Sequence, residues 1–135
     1  MLFTPIQFGP LIIRNRSIRA AAFEGMCFNH NVSDQLIQYH EAVAAGGIGM
    51  TTVAYAAVTK SGLSFPHQLW LREEIIPELR KLTDVVHRHN AKASIQIGHC
   101  GNMAKHEVIG ERPLAPSARI NMYAPSFPRA MTKQD

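Results

Sequence analysis

Residues 91–101, AKASIQIGHCG, decide how this chain is read. The run starts small and β-compatible and ends in Gln96, His99 and Cys100, broken by Gly98 and Gly101. A short apolar segment directly behind an amphipathic helix pattern predicts a buried strand, here over 91–97. Its carboxyl end carries side chains that hydrogen-bond or titrate, and its glycines let another backbone or a ligand come close. Ligands of α/β folds collect at the carboxyl ends of parallel strands, so this strand end is the first place to look for chemistry.

Working outward, Leu71, Ile75, Leu79, Leu82, Val86 and His89 recur at three- and four-residue steps, and Arg72, Glu73, Glu74, Glu78, Arg80 and Lys81 occupy other faces. That stripe predicts a helix over 70–90. Pro77 removes one helical hydrogen bond, which predicts a break near Ile76 with the main helix starting at the proline, and Asn90 serves as a stop. Before it, Ile48–Val58 (IGMTTVAYAAV) is apolar on both faces, the pattern of a covered parallel strand, with its core expected over 48–54. Ser33 is a natural N-cap, Leu36, Tyr39, His40 and Val43 follow at helical spacing, and Gly46-Gly47 ends the pattern, predicting a helix over 33–45. Arg16–Ala22 (RSIRAAA) predicts a short buried strand over 16–22, and Gly9-Pro10 predicts a hairpin within 2–13. Residues 98–135, with Pro113, Pro116, Pro125 and Pro128, carry few periodic apolar positions and read as loop.

The order hairpin, β, α, β, α, β implies a parallel α/β sheet with right-handed crossovers. Three strands and two helices are few for an independent α/β domain. Thr132, with Asp135 three residues on, has the form of another helix start, so the architecture reads as unfinished. A three-stranded piece of sheet exposes strand edges and predicts association with itself or with further strands.

Composition narrows the function classes. The chain has 135 residues, 46% of them hydrophobic, and a formal net charge of +4. The basic residues are scattered, with no stripe or motif for nucleic acid. No apolar run approaches a membrane span, the start MLFTPIQFG lacks a signal-peptide pattern, and the expected location is cytoplasmic. Two cysteines, Cys27 and Cys100, form no disulfide framework. His87-Arg88-His89 and His99-Cys100 lack zinc-ligand spacing, so no metal site is expected. Gly46-Gly47-Ile48-Gly49 follows a helix and precedes a strand, the reverse of a dinucleotide fingerprint. Cys100 has no evident third partner for nucleophilic chemistry and reads as a packing residue.

The blocks LFTPIQFGPLIIRNR, RAAAFEGM, GGIGMTTVAYAAV, QIGHCG, RPLAPSA and PRAMTKQD, in this order, resemble the N-terminal third of the Old Yellow Enzyme family of FMN-dependent NAD(P)H:flavin oxidoreductases. The resemblance implies a partial TIM (β/α)8 barrel comprising residues 1–135: the hairpin, the first three strands and the loop after the third, stopping before strand 4. It implies FMN as cofactor, NADH or NADPH as reductant, and an electron-poor, enone-type alkene as substrate. By the same resemblance Ala21 and Ala22 line the flavin with their backbone. Phe23 stands where several relatives place Thr or Cys, and Ala54 and Tyr55 end the second strand beside the cofactor. Gln96 faces the polar pyrimidine edge, a task suited to a carboxamide that both donates and accepts, though a loop-capping Gln is the alternative from the residues themselves. His99 matches the family's H-x-G-R segment, but Asn102 replaces its Arg, leaving His99 as a substrate-binding or a structural residue. Ser117, in PLAPSA, is a motif position or a turn residue. The family's substrate-gripping His-x-x-His or His-x-x-Asn pair is expected beyond Asp135. A catalytically inactive truncated or split barrel module is the alternative reading of the chain.

Overall fold

A hairpin opens the structure, a computed structural model that describes residues 1–122 and 125–135. Gly9, at φ +53°, reverses the chain. β1 (Ile6–Phe8) then pairs antiparallel with β2 (Leu11–Ile13), Ile6 facing Ile13 and Phe8 facing Leu11. Arg14 and Asn15 clip this hairpin to the next layer. Arg14 donates to the Ala44 and Ile48 carbonyls at 2.8 and 3.0 Å, and Asn15 Nδ2 donates to the Gly47 carbonyl at 2.8 Å. A guanidinium is well placed there, because the end of the following helix presents the negative pole of its dipole. A Cβ on Gly49 would lie 2.6 Å from Ile13, so the junction closes only over a glycine.

β3 (Ile18–Arg19), β4 (Met50–Ala57) and β5 (Lys92–Gly98) form a parallel sheet in the order β3-β4-β5. α1 (Asp34–Ala45) and α2 (Ile76–Arg88) are the crossovers. A sheet wound in sequence order with crossovers of one hand carries its helices on one face, the winding of a barrel rather than of a doubly wound sheet. The main core lies between helices and sheet: Leu36 and Ala44 of α1, Leu82, Val85 and Val86 of α2, and Val53 and Ala56 of β4. Burying each of these larger aliphatic side chains is worth about 1.5–3 kcal/mol.

Local chemistry explains the helix ends. Ser33 Oγ accepts the Leu36 amide at 3.1 Å and donates to the Met26 carbonyl, so one hydroxyl both caps α1 and anchors the loop before it. Around Pro77 the chain forms a 3₁₀ turn, Glu73–Ile75, and then the α-helix from Ile76, the break expected of the proline. Asn90 leaves α2 in the left-handed region at φ +56°.

The structure corrects several sequence expectations, among them the strand expected over 48–54, which runs instead over Met50–Ala57 because its pairing with β5 continues past the bulge to Gly98. The strand expected over 16–22 is laddered only at Ile18–Arg19, and further along β4 the Ala54 amide is taken by the Glu24 carboxylate and not by a β3 carbonyl. The helix expected over 70–90 starts later. Trp70 instead bridges Ala57 as a short parallel extension of β4, with the Ala57 amide donating to Leu69 O and Leu71 N–H donating back to Ala57 O. The expected loop 98–135 contains a 3₁₀ turn at Gly101–Met103, the one-turn helix α3 (His106–Ile109), and β6 (Leu114–Ala115) paired in parallel with β7 (Arg129–Ala130). Ala57, Leu63, Ala104 and Ile109 form a second small core beneath it. Tyr123 and Ala124, inside that expected loop, lie outside the described residues. Thr132 and Asp135 form a turn, in which the Thr132 amide donates to Asp135 Oδ2 at 2.7 Å.

Candidate functional site

The register of β4 against β5 breaks at one place. Val53 faces Ile95, and the next laddered pair is Ala56 with Ile97, so Ala54 and Tyr55 together stand opposite Gln96. Two residues against one is a β-bulge, which kinks the strand, strengthens its twist and re-aims side chains. Three of the positions marked in the sequence are thus brought side by side at the carboxyl end of the sheet. Ala54 is buried, Tyr55 half-buried and Gln96 exposed. Among the described residues the Gln96 carboxamide has no hydrogen-bond partner, so its donors and acceptor are available to a ligand. Tyr55 leans over Gly98, where a Cβ would lie 2.6 Å from its Cε2.

Ala21, Ala22 and Phe23 follow β3 on the neighbouring side of Ala54. Two alanines there leave the backbone accessible. Phe23 tilts at 30° against Phe65 with ring centroids 4.6 Å apart, and the two residues remain 44% and 43% exposed. Phe65 belongs to the loop after β4, and sequence reasoning did not single it out. That loop is held by Gln68, which is buried and accepts the Ser64 amide at 2.7 Å and the Phe65 amide at 3.3 Å.

Behind these backbone positions sits a buried polar cluster. Glu24 Oε1 lies 2.9 Å from Arg19 Nη1 and 3.5 Å from His40 Nε2, and it accepts the Ala54 amide at 3.4 Å. Arg19 also donates to the carbonyls of Thr52 at 2.7 Å and Ala22 at 3.2 Å, and to Tyr39 Oη at 3.1 Å. His40 is fully buried, its Nδ1 2.8 Å from Thr51 Oγ1. Burial pulls the Glu24 carboxyl upward, but His40, the Ala54 amide and the Arg19 charge outweigh it and hold the group below its ordinary range. The signal for this cluster was in the sequence as Arg19 inside a short strand and Glu24 at its exit. Their partners on α1 and β4 come from topology and were not legible there.

His99 is turned away from Gln96 into the loop after β4. The Gly101 amide donates to His99 Nδ1 at 3.0 Å, and His99 Nε2 lies 3.2 Å from Ser61 Oγ. A backbone N–H only donates, so Nδ1 accepts, and the neutral ring carries its proton on Nε2 and donates it to Ser61. Ser61 in turn meets Thr59 Oγ1 at 2.9 Å. Asn102 is in the adjoining 3₁₀ turn, where its carbonyl accepts from Ser126 Oγ at 2.6 Å and Asn121 Nδ2 at 3.1 Å. Ser117 is exposed. The Cys100 thiol donates to Leu63 O at 3.2 Å, and burial raises its pKa even though a hydrogen bond to Ser64 opposes that. Burial, followed by the Glu24 charge, pushes the Cys27 thiol up to about 12.

A parallel sheet wound as in a barrel, with an exposed carboxamide and accessible backbone at its carboxyl rim, defines a class, and comparison with known proteins identifies it. The chain belongs to the NADH:flavin oxidoreductase / NADH oxidase family, the match running over residues 1–135. It is 46% identical over 120 residues to the 4,4'-dithiodibutanoate disulfide reductase of Rhodococcus erythropolis, covering 89% of this chain and 30% of that protein. It is 31% identical over 134 residues to a metal reductase of Desulforamulus reducens, covering 99% of this chain and 20% of that protein. Among solved structures, a 2-naphthoyl-CoA reductase complex superimposes with a TM-score of 0.89 at 27% identity, over 97% of this chain and 22% of its own. The fold is shared with an Old Yellow Enzyme homologue from Zymomonas mobilis, with a TM-score of 0.84 at 23% identity over 98% of this chain and 40% of that one. The chain thus spans less than half the length of each of these proteins, and the solved structures it superimposes on are TIM barrels. The family uses FMN, with NADH or NADPH as reductant.

Proposed function

We propose that this chain supplies one wall of an FMN site in an oxidoreductase that takes hydride from NADH or NADPH and passes it through the flavin to an electron-poor alkene. The observation that carries this reading is the bulge that sets Ala54 and Tyr55 against Gln96 at the carboxyl rim of the sheet. The residues fit a flat, polar-edged ring. Ala21 and Ala22 leave room for close approach, and the Gln96 carboxamide, without a partner among the described residues, matches a heterocycle edge that both donates and accepts. FMN, when bound, supplies the two-electron relay between nicotinamide and substrate. The chain's own part is to hold the ring against the Ala21-Ala22 and Ala54 backbone, to engage its polar edge through Gln96, and to cover an apolar approach with Phe23. His99, bonded to Ser61 and Gly101, shapes the loop beside the site rather than the substrate.

The open edge of β5, with Ile95 and Ile97 exposed at 37% and 59%, supports pairing with further barrel strands that complete the pocket, or with a second copy of this chain. Titration of the purified chain with FMN, followed by flavin fluorescence and the visible spectrum, tests the cofactor reading. Saturable one-to-one binding is expected, and its absence would leave the chain an inactive module.

A second reading of the electron acceptor rests on the 46% identity to an enzyme named for reducing 4,4'-dithiodibutanoate. In that case a disulfide, rather than an alkene, receives the hydride equivalents. Steady-state assays of the flavin-loaded protein with 2-cyclohexenone and with 4,4'-dithiodibutanoate, each as sole acceptor for NADH or NADPH, separate the two.

A further inference from the structure

Two of the backbone positions assigned above to the flavin wall are held by the two halves of one buried ion pair. Arg19 Nη2 donates to the Ala22 carbonyl at 3.2 Å, and Glu24 Oε1 accepts the Ala54 amide at 3.4 Å. The pair itself closes at 2.9 Å, with the Arg19 and Glu24 side chains only 15% and 4% exposed. Arg19 further holds Thr52 O, two residues before the bulge, at 2.7 Å, and its guanidinium lies 5.0 Å from the Tyr39 ring centroid. His40, fixed by Thr51, reaches the same Glu24 oxygen from α1. One carboxylate oxygen therefore binds Arg19 of β3 and the Ala54 amide of β4 and faces His40 Nε2 of α1 at 3.5 Å, at the site where the ladder is interrupted.

We infer that Arg19, Glu24 and His40 are positioning residues that set the separation of the Ala22 and Ala54 backbones, and with it the fit of the cofactor ring between them. None of the three is assigned to touch the ring. They act through Ala22 and Ala54, from the helix-facing side of the wall. This inference rests on the FMN reading, but its geometry is testable without cofactor. Glu24→Ala removes the acceptor of the Ala54 amide. Glu24→Gln keeps an acceptor and gives up the charge opposite Arg19. Arg19→Lys keeps that charge, but a single ammonium cannot serve Ala22, Thr52 and Tyr39 together. Leu79→Ala, in the core between α2 and the sheet, is the control for lost stability alone.

Two measurements on the full chain decide the matter: the Ala54 amide resonance in the flavin-free protein, and the dissociation constant for FMN from flavin fluorescence. The expected result is a displaced Ala54 resonance and at least tenfold weaker FMN binding in Glu24→Ala. Glu24→Gln should fall between it and the unsubstituted chain, and Leu79→Ala should leave both readouts in place. An unmoved Ala54 resonance in Glu24→Ala overturns the clamp, as does Leu79→Ala weakening FMN as much. If Glu24→Ala does not fold, Arg19→Lys carries the same two readouts. If the unsubstituted chain takes up no FMN, the cofactor reading falls, and the Ala54 resonance alone decides whether the clamp sets this backbone.

Discussion

Gly98 and Tyr55 share one space: a Cβ added to Gly98 would lie 2.6 Å from Cε2 of the tyrosine ring and 3.4 Å from Cδ2. The ring of the bulged residue on β4 is thus seated on the bare backbone of β5, one turn of the pleat beyond Gln96. Gly98→Ala should displace Tyr55 and cost about 1–3 kcal/mol, the usual range for overpacking. In a Tyr55→Ala background the same change should be close to neutral, because the ring it collides with is gone. Urea midpoints of the four proteins form a double-mutant cycle, and additive effects would show that the two residues do not meet.

Gln96, two residues before Gly98 on β5, is exposed and has no hydrogen-bond partner among the described residues. Gln96→Leu removes no hydrogen bond among the described residues, so the far-ultraviolet spectrum should be unchanged and the urea midpoint should stay within about 0.5 kcal/mol of the original. FMN affinity should nevertheless fall roughly tenfold or more, since a hydrogen bond to a ligand contributes on the order of 1 kcal/mol and an unmatched polar edge costs further. Unchanged FMN affinity would move the flavin away from this strand end.

What the sequence disclosed and what it withheld follow from the range of the interactions. Ser33, Pro77 and Asn90 act within one helical turn of themselves, so the ends of α1 and α2 were legible. Trp70 continues the helical stripe in sequence, yet pairing with Ala57 pulls it into the sheet, a tertiary contact that overrides local periodicity. β6 and β7 are two residues each and leave no period to detect. For the site, a family resemblance named Ala54, Tyr55 and Gln96, but the bulge that joins them is a property of register between strands, absent from either strand alone. The Glu24–His40 contact was equally hidden, because only the packing of α1 against β4 brings the two together.

His99 and Ser61 should behave as a coupled structural pair. His99→Ala deprives both the Gly101 amide and Ser61 of a partner, and a buried polar group left unpaired costs about 1–3 kcal/mol. Ser61→Ala should cost less, about 1 kcal/mol, since it removes one neutral hydrogen bond. The double variant should lose less than the sum, because the two changes delete the same bond. Denaturant midpoints measure this, and strict additivity would argue that the 3.2 Å contact carries no energy.

The two thiols should resist labelling in the native state. Cys27 is buried with its pKa pushed up to about 12, and Cys100 is raised in the same direction. The thiolate is the reactive form, so Ellman's reagent at pH 8 should modify both slowly in the folded chain and rapidly in urea. Fast native-state labelling of Cys27 would show that the loop between Gly25 and His30 opens readily.

Glu24 gives the chain a component of stability that depends on acid. Its carboxyl is held below the ordinary value of 4.5 in the folded state by His40, the Ala54 amide and Arg19, against the opposing effect of burial. The folded state therefore binds its proton later than the unfolded one as pH falls. The stabilisation is complete above about 4.5 and is lost as pH drops through the lower, folded value. Glu24→Gln removes the titrating charge and leaves Arg19 without its counter-ion, which for a buried pair costs about 3–5 kcal/mol near neutrality. The gap in urea midpoint between the original chain and Glu24→Gln should thus be as wide at pH 5.5 as at pH 7, and narrower at pH 3, below the ordinary carboxyl value of 4.5, where the unfolded chain takes up the proton first. A gap that stays constant from pH 7 to pH 3 would mean that the Glu24 charge contributes nothing to holding β3, β4 and α1 together.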